Sequence, residues 1–469
     1  MPCGSVVFLR RYAPLGLFAL LALIFTLFVF GYADRDLWFD EALTVLNFAV
    51  MESARQIYHS YFIPNNQILH TIFLSGYLKS FPGLPLRLLP MLCAFATLMI
   101  LWQNRLRYGK LPLFIALTAL AVSPGFLIYA TALRGYMLCA MFTVLALAGA
   151  ETFVRNGRIL PYLLWFFSCT AALGVMPGSL AALAAVVLYV MPGFGRKFYC
   201  SKKFYLLGAA PAAGFLLFYL PIWQQLAANA RLGEGWHNGW EMLAALYGAA
   251  GLSFITLLVL PGRWRKVPWQ HWLIWLLPVP AAFCFKVAPF PRVFFPLLMI
   301  WALLLSGNVK HFMAVLCNKY GRKAAYAGGA VLFAVTLGWG YFANMDTPLR
   351  REISAGLSRG GQDDYIMPHF VRPEFTPAET IRSIHEFTGS DGSAEIFATF
   401  AADPWALMFY HGNMIKFDGP RSRINSLPHG TVVVSAVDEK IDDIAGRFGV
   451  RLVPVFENGQ HKVTVVSNE

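Results

Sequence analysis

Acidic side chains are nearly missing from the first 343 positions, which hold eight Asp and Glu against 26 Lys and Arg. Soluble domains average about 25% charged residues, so this stretch is not an ordinary water-exposed enzyme domain. Charge of either sign makes up only 13% of the chain, while hydrophobic residues make up 57%. The apolar residues recur in runs near the ~20 that a membrane helix needs. Paired cysteines are missing too. Cys3, Cys93, Cys139, Cys169, Cys200, Cys284 and Cys317 show no CxxC or metal-type spacing, and none follows Asn344. That excludes a disulfide framework and leaves small buried residues and free thiols. There is no internal repeat and no low-complexity tract.

The net charge of +13 is uneven, because the residues after position 343 hold 12 basic against 17 acidic side chains. The positive charge belongs to loops between apolar runs, where membrane topology accounts for it, and implies no nucleic-acid partner. Arg10 and Arg11 precede the first run, which spans about 13–31. That is longer than the ~7–15 residues of a signal-peptide core, so it reads as a retained first helix.

The chain reads as an all-α polytopic membrane protein with a small C-terminal α/β domain. Eleven spans are expected, near 13–31, 86–102, 111–129, 133–150, 159–176, 178–192, 204–222, 240–260, 271–288, 291–306 and 324–343. Residues 68–81 are apolar but too short to cross, and are expected to lie in the interface. Residues 41–62 read as an amphipathic surface helix, with Leu43, Leu46, Val50 and Ile57 on one face. With this topology 18 Lys and Arg fall inside and eight outside before the C-terminal domain. The positive-inside rule then puts the N-terminus in the cytoplasm and the C-terminal domain on the periplasmic or extracellular side, as for a bacterial inner-membrane protein. Of the eight acids only Glu151 is then inner, so chemistry is expected outside.

The expected domains are 1–343 in the membrane, with an outer loop at 32–85, then a linker at 344–375 and a soluble α/β domain at 376–469. In the last, Thr376-Pro377-Ala378-Glu379 has the form of a capping box opening a helix to about Phe387. A strand is expected at Glu395–Phe400, a short helix opened by Asp403-Pro404, a strand at Thr431–Val437, and a helix over Asp438–Phe448. Val450–Phe456 and Lys462–Val466 should pair across Asn458-Gly459.

The stretch Leu37-Trp38-Phe39-Asp40-Glu41 stands out, because acids at a membrane boundary cost free energy unless they act or find a partner. Asn65, Asn66, Gln67 and His70 open the interfacial segment, Arg134 and Tyr136 begin a span, and Lys286 and Arg292 flank Pro289 and Pro291. A carboxylate with several cations suits a reaction in which a hydroxyl is deprotonated while an anionic group leaves. Arginine can hold a phosphate in two places. Each residue also has a simpler role. Asp40 or Glu41 could cap a helix, the basic residues could snorkel to headgroups, His70 could be a hydrogen-bonded structural residue, and Trp236 and Trp240 could be interface anchors.

Leu37-Trp38-Phe39-Asp40-Glu41-Ala42 resembles the first outer-loop motif of the GT-C membrane glycosyltransferases, particularly bacterial members akin to protein O-mannosyltransferases and the aminoarabinose transferase of lipid A. Pro64-Asn65-Asn66-Gln67-Ile68-Leu69, Leu86-Arg87-Leu88-Leu89-Pro90, Ser123-Pro124 and Ala132-Leu133-Arg134-Gly135-Tyr136 are similar to later motifs, as is Pro291-Arg292-Val293-Phe294-Phe295-Pro296. Some relatives carry a second acid where this chain has Arg134. The resemblance covers most of 1–310 in order and leaves the C-terminal domain without a family motif.

The resemblance implies inverting transfer of a sugar from a polyprenyl-phosphate donor to an extracytoplasmic lipid, glycan or protein. By it, Asp40 is the general base and Glu41 positions it. Arg134, Lys286 and Arg292 neutralise the donor phosphate, and Asn66, Gln67, His70 and Tyr136 line the substrate site. A divalent metal ion serves some relatives, with Glu41, His59 and His70 the nearby candidates to hold one. The competing class is a transporter or flippase of lipid-linked glycans. That class would show inner as well as outer polar groups, which these outer acids do not match.

Overall fold

The computed structural model describes residues 3–33, 35–63, 66–195, 198–231, 239–260, 267–284, 291–344, 376–389, 394–418 and 424–467, without the side chains of 3–13 and 231. They fall into two compact units, Met1–Ala33 with Ser53–Ile366, and Asp34–Glu52 with Met367–Glu469. The acid-bearing stretch thus belongs to the unit of the C-terminal domain, a grouping the sequence pattern did not suggest.

The first unit is helical. Six described helices are long and apolar enough to cross a membrane: Pro14–Ala33, Tyr136–Asn156, Pro177–Phe194, Lys202–Ala230, Gly239–Leu258 and Leu297–Asn344. A seventh span is formed if Lys110–Ala121 and Pro124–Thr131, bent by 65°, count as one. Leu88–Trp102 and Ile159–Val175 are shorter apolar helices. The expectation of eleven is therefore met only in part, although Leu297–Asn344 is itself broken at Gly321, whose φ of 86° is non-helical. Leu15 and Leu27 are each 66% exposed on the first helix, a surface that suits lipid rather than water. The protein is an integral, multi-pass membrane protein.

Inside this unit, small residues let helices close up, as membrane packing requires. A methyl on Gly149 would lie 2.7 Å from the Trp165 amide nitrogen, so Tyr136–Asn156 and Ile159–Val175 meet backbone to backbone there. Trp165 is fully buried, and its Nε1 donates to Leu207 O at 3.2 Å. Glu151 is ion-paired with Arg107, whose guanidinium lies 5.0 Å from the Tyr189 ring centre, so this acid ties helices together. Ile68–Ser80 is a 13-residue helix that buries Ile68, His70, Thr71, Leu74, Ser75 and Tyr77 within the unit.

In the second unit the strands are β1 (Ile396–Ala398), β2 (Lys416–Phe417), β3 (Val432–Ala436), β4 (Arg451–Glu457) and β5 (His461–Ser467). They form one sheet in the order β2-β1-β3-β5-β4. β1 runs parallel to β2 and β3, and β5 runs antiparallel to β3 and β4. Alternation along the strands splits the core. Ile396, Ala398, Val432 and Val434 face Ile381, Ile384, Leu407 and Met408 of the Pro377–Thr388 and Pro404–His411 helices. Phe397 and Val433 face Ile444 and Phe448 of the Ile441–Phe448 helix on the other side.

The expected 41–62 helix is broken. Phe39–Thr44 is α-helical, Val45–Ala49 widens into a π turn, and Ala54–His59 restarts as a separate helix. Ser53 causes the restart: its Oγ accepts from the Gln56 amide at 3.2 Å, while Gln56 Oε1 accepts from the Ser53 amide at 3.0 Å. Leu46 packs against the C-terminal core and is not spread on a membrane surface.

Candidate active site

Asp40 and Glu41 open the Phe39–Thr44 helix and are both buried, at 7% and 0% exposure. Two hydrogen bonds and a ring contact seat this segment on the C-terminal fold. Asp36 Oδ2 accepts from the Ala378 amide at 2.9 Å, and the Tyr410 hydroxyl accepts from the Leu37 amide at 2.8 Å. The Phe39 and Phe400 rings meet edge to face at 6.0 Å. Thr376 makes no side-chain cap on Pro377–Thr388; the orphan Ala378 amide is satisfied by Asp36. The helix-capping role considered for the acid pair falls to Glu41, whose Oε2 accepts from the Trp38 amide at 3.4 Å.

Asp403 lies next to this pair. It is 8% exposed, and its φ of 55° makes it the one non-glycine residue with positive φ among the described residues. Its Oδ1 accepts from the Ala406 amide at 3.1 Å, capping Pro404–His411. Burial, opposed by that amide and reinforced by the Asp40 charge, pushes its carboxyl up to about 7. Sequence reading had made it only a helix opener.

The first unit holds a separate polar cluster. Gln67 Oε1 accepts from the Gly135 amide at 2.5 Å, which fixes the start of Tyr136–Asn156. A methyl on Gly135 would come within 2.9 Å of His70 Cβ and 3.0 Å of that same Gln67 oxygen, so this approach admits only glycine. Arg87 Nη1 donates to Thr131 O at 2.6 Å, closing the end of Pro124–Thr131 just before the extended Ala132. Arg134 is therefore delivered from a short break between two helices, and is 3% exposed.

Tyr129 sits at the centre. Its ring lies 4.8 Å from Tyr136 and 4.6 Å from Phe295, and its hydroxyl is within electrostatic reach of Arg134 and Arg292. A lone tyrosine in an apolar run carries no pattern, and sequence reading missed it. His70 is 2% exposed, and neither ring nitrogen has a hydrogen-bond partner among the described residues. Burial, then the Arg134 charge, pushes it down to about 3, so the imidazole is neutral near pH 7. The hydrogen-bonded structural role considered for His70 does not hold among the described residues. Asn66 differs: its Nδ2 donates to Ile57 O and Ser60 O at 3.0 and 3.1 Å, so its amide ties down the preceding turn.

Lys286, Asn65 and Trp236 lie outside the described residues. Among the described residues no three His, Cys, Asp or Glu side chains converge as a metal site requires. Glu41 is turned back on its own helix and His59 stands against the Tyr58 ring, so neither fits that task, and no step below runs through a metal.

The fold has solved counterparts. The chain superimposes on ArnT from Cupriavidus metallidurans in the apo state with a TM-score of 0.60 and 12% identity, covering 97% of this chain and 98% of that one. The same transferase bound to undecaprenyl phosphate gives 0.57 over the same shares. This is the GT-C fold. The arabinofuranosyltransferase AftD from Mycobacteria matches at 0.50 and 16% identity, with 98% of this chain spanning 40% of that one. No family model and no curated protein matches the sequence. The likeness thus lies in the fold. Within the first unit Gln67, Arg134-Gly135-Tyr136 and Arg292 come together as one neighbourhood around Tyr129.

Proposed function

We propose that this chain is a membrane glycosyltransferase that moves a sugar from a polyprenyl-phosphate donor to an extracytoplasmic hydroxyl acceptor with inversion. The observation that carries the reading is the GT-C fold along 97% of the chain, shared with a transferase seen with undecaprenyl phosphate. In the proposed step the acceptor oxygen bonds to the anomeric carbon as that carbon's bond to the phosphate oxygen breaks. The hydroxyl proton passes to Asp40, and the electron pair of the broken bond leaves with the polyprenyl phosphate. Arg134 and Arg292 neutralise that phosphate, with Lys286 in support, while Tyr129, Tyr136, Gln67 and neutral His70 keep their surroundings dry and fixed. Glu41 holds the start of the Asp40 helix.

Purified protein in lipid nanodiscs is expected to bind undecaprenyl phosphate. It should release that lipid from a polyprenyl-phosphate sugar when envelope acceptors are added. Binding without release, together with movement of lipid-linked glycan across sealed vesicles, would instead assign a flippase.

The orientation proposed from the basic loops puts the C-terminal domain outside. A thiol introduced at Glu386 in a background without the exposed Cys200 and Cys284 should then react with an impermeant maleimide added outside whole cells. One at Leu106, 88% exposed, should not. The reverse pattern would invert the topology.

A further inference from the structure

A cavity of about 460 Å³ opens in the first unit between the Arg105–Tyr108 turn, the Trp269–Leu276 helix and the long Leu297–Asn344 helix. Cations and aromatic rings line it together. Arg107, Lys310 and His311 lie along it with Trp272, Trp275 and Asn308, and no Asp or Glu lines it among the described residues. It shares no residue with the cluster around Tyr129.

Its walls are held by contacts of their own. Trp275 stacks on Trp301 at 4.8 Å and Trp301 on Tyr247 at 5.3 Å, while the Tyr247 hydroxyl donates to Trp275 O at 2.7 Å. His271 stacks on Tyr189 at 5.4 Å, and its Nε2 donates to Tyr189 O at 3.4 Å. The Arg107 guanidinium stands 5.0 and 5.3 Å from the Tyr189 and Tyr108 ring centres, with Nη1 on Glu151. That acid is shared, because Arg155 approaches it at 3.9 Å. Lys310 donates to Arg107 O at 2.8 Å and makes no ion pair among the described residues, so the surroundings stay positive.

Asn308 needs something that the described residues do not supply. It is 8% exposed and lines the cavity, and its side-chain amide makes no hydrogen bond among the described residues. A buried amide without a partner costs free energy. The space is far larger than the ~10–15 Å³ that one water occupies. Trp269, Leu273 and Leu276 are exposed on the same short helix, an outer surface suited to acyl chains and the bilayer interface.

We propose that this cavity binds the headgroup of an anionic glycerophospholipid, of the phosphatidylglycerol class. The phosphate diester meets Lys310 and the Arg107 N–H groups not spent on Glu151, Asn308 bonds a glycerol hydroxyl or ester carbonyl, and the acyl chains run along Trp269–Leu276. Basic pockets between membrane helices take such headgroups. A free phosphate would use the cations but leave the tryptophan wall and the apolar helix face without a role. In the orientation proposed above the lipid belongs to the inner leaflet. The site does not depend on the transfer reaction.

The test titrates the full-length protein in detergent with phosphatidylglycerol or with phosphatidylcholine of the same chains, and counts bound lipid by native mass spectrometry. Phosphatidylglycerol should bind about tenfold more tightly. Lys310→Gln, at an exposed position, should lose about fivefold of that affinity and little affinity for phosphatidylcholine. Asn308→Leu should also weaken the preference, while the lipid-free protein keeps or raises its unfolding midpoint, since an apolar side chain there needs no partner. If that variant folds poorly, Lys310→Gln carries the comparison. Arg155→Gln removes a nearby cation that does not line the cavity and should leave the preference intact. Equal binding of the two lipids, or equal losses in Arg155→Gln and Lys310→Gln, would reduce the effect to surface potential and overturn the site. Displacement of phosphatidylglycerol by inorganic phosphate alone would overturn the lipid reading. None of these readouts uses transfer activity, so they stand or fall apart from the proposed function.

Discussion

Asp40→Asn is expected to slow transfer by ~10²–10⁴ at equal membrane abundance, the usual loss for a general base, while donor binding stays near wild type. The amide has the same shape as the carboxylate but no lone pair basic enough to take the acceptor proton. Two local contacts survive the change. The Thr44 hydroxyl donates to the Asp40 backbone carbonyl at 2.7 Å, and the helix cap comes from Glu41, so neither needs the Asp40 charge. A second readout comes from the neighbour: without the Asp40 charge, one of the causes that raise the Asp403 carboxyl disappears, so Asp403 should ionise at lower pH. Titration of Asp403 followed by carbon-detected NMR or infrared difference spectra would show it. Full transfer by Asp40→Asn would leave the acid pair as a buried helix start and remove the base from the proposed mechanism.

Sequence pattern reached further into the first unit's polar cluster than into the second unit's architecture. Gln67, His70, Arg134, Tyr136 and Arg292 were legible as polar residues at the ends of apolar runs, where charge is costly and therefore conspicuous. Tyr129 was not, because one aromatic residue inside an apolar helix breaks no pattern. In the C-terminal domain, β1, β3, β4 and β5 follow from β-branched runs and turn residues. β2 has two residues, too few to show alternation. Seating of residues 35–52 on that domain was beyond local reading. It depends on Asp36, Leu37 and Leu46 finding Ala378, Tyr410 and the C-terminal core more than 300 positions away, and no periodicity encodes such partners. Asp403 shows the limit most sharply: Asp-Pro announces a helix start, but its left-handed backbone and its neighbour Asp40 exist only in three dimensions.

Arg134→Ala is the other large expected effect, in binding as well as rate. A guanidinium 3% exposed sits in a low-dielectric surround, where its charge is weakly screened and a phosphate gains most from it. Removing one such donor typically costs ~10²–10³ in rate. A charge-assisted hydrogen bond of about 1.5–3 kcal/mol corresponds to ~10–100-fold in donor affinity. Arg292→Ala should act in the same direction, more weakly because Arg292 is only half-buried and the charge it supplies is better screened by solvent. Arg134→Lys should recover part of the binding and less of the rate, since a single ammonium restores the charge without the planar fork. The Gln67 bond runs to the Gly135 amide and not to the Arg134 side chain, so the substitution does not remove it. Thermal unfolding of the variant separates packing damage from lost binding, and a variant that stays folded should lose undecaprenyl phosphate. Unchanged affinity for that lipid in a folded Arg134→Ala protein would take the phosphate away from this cluster, and Tyr129 and Tyr136 would then be packing residues around a structural arginine.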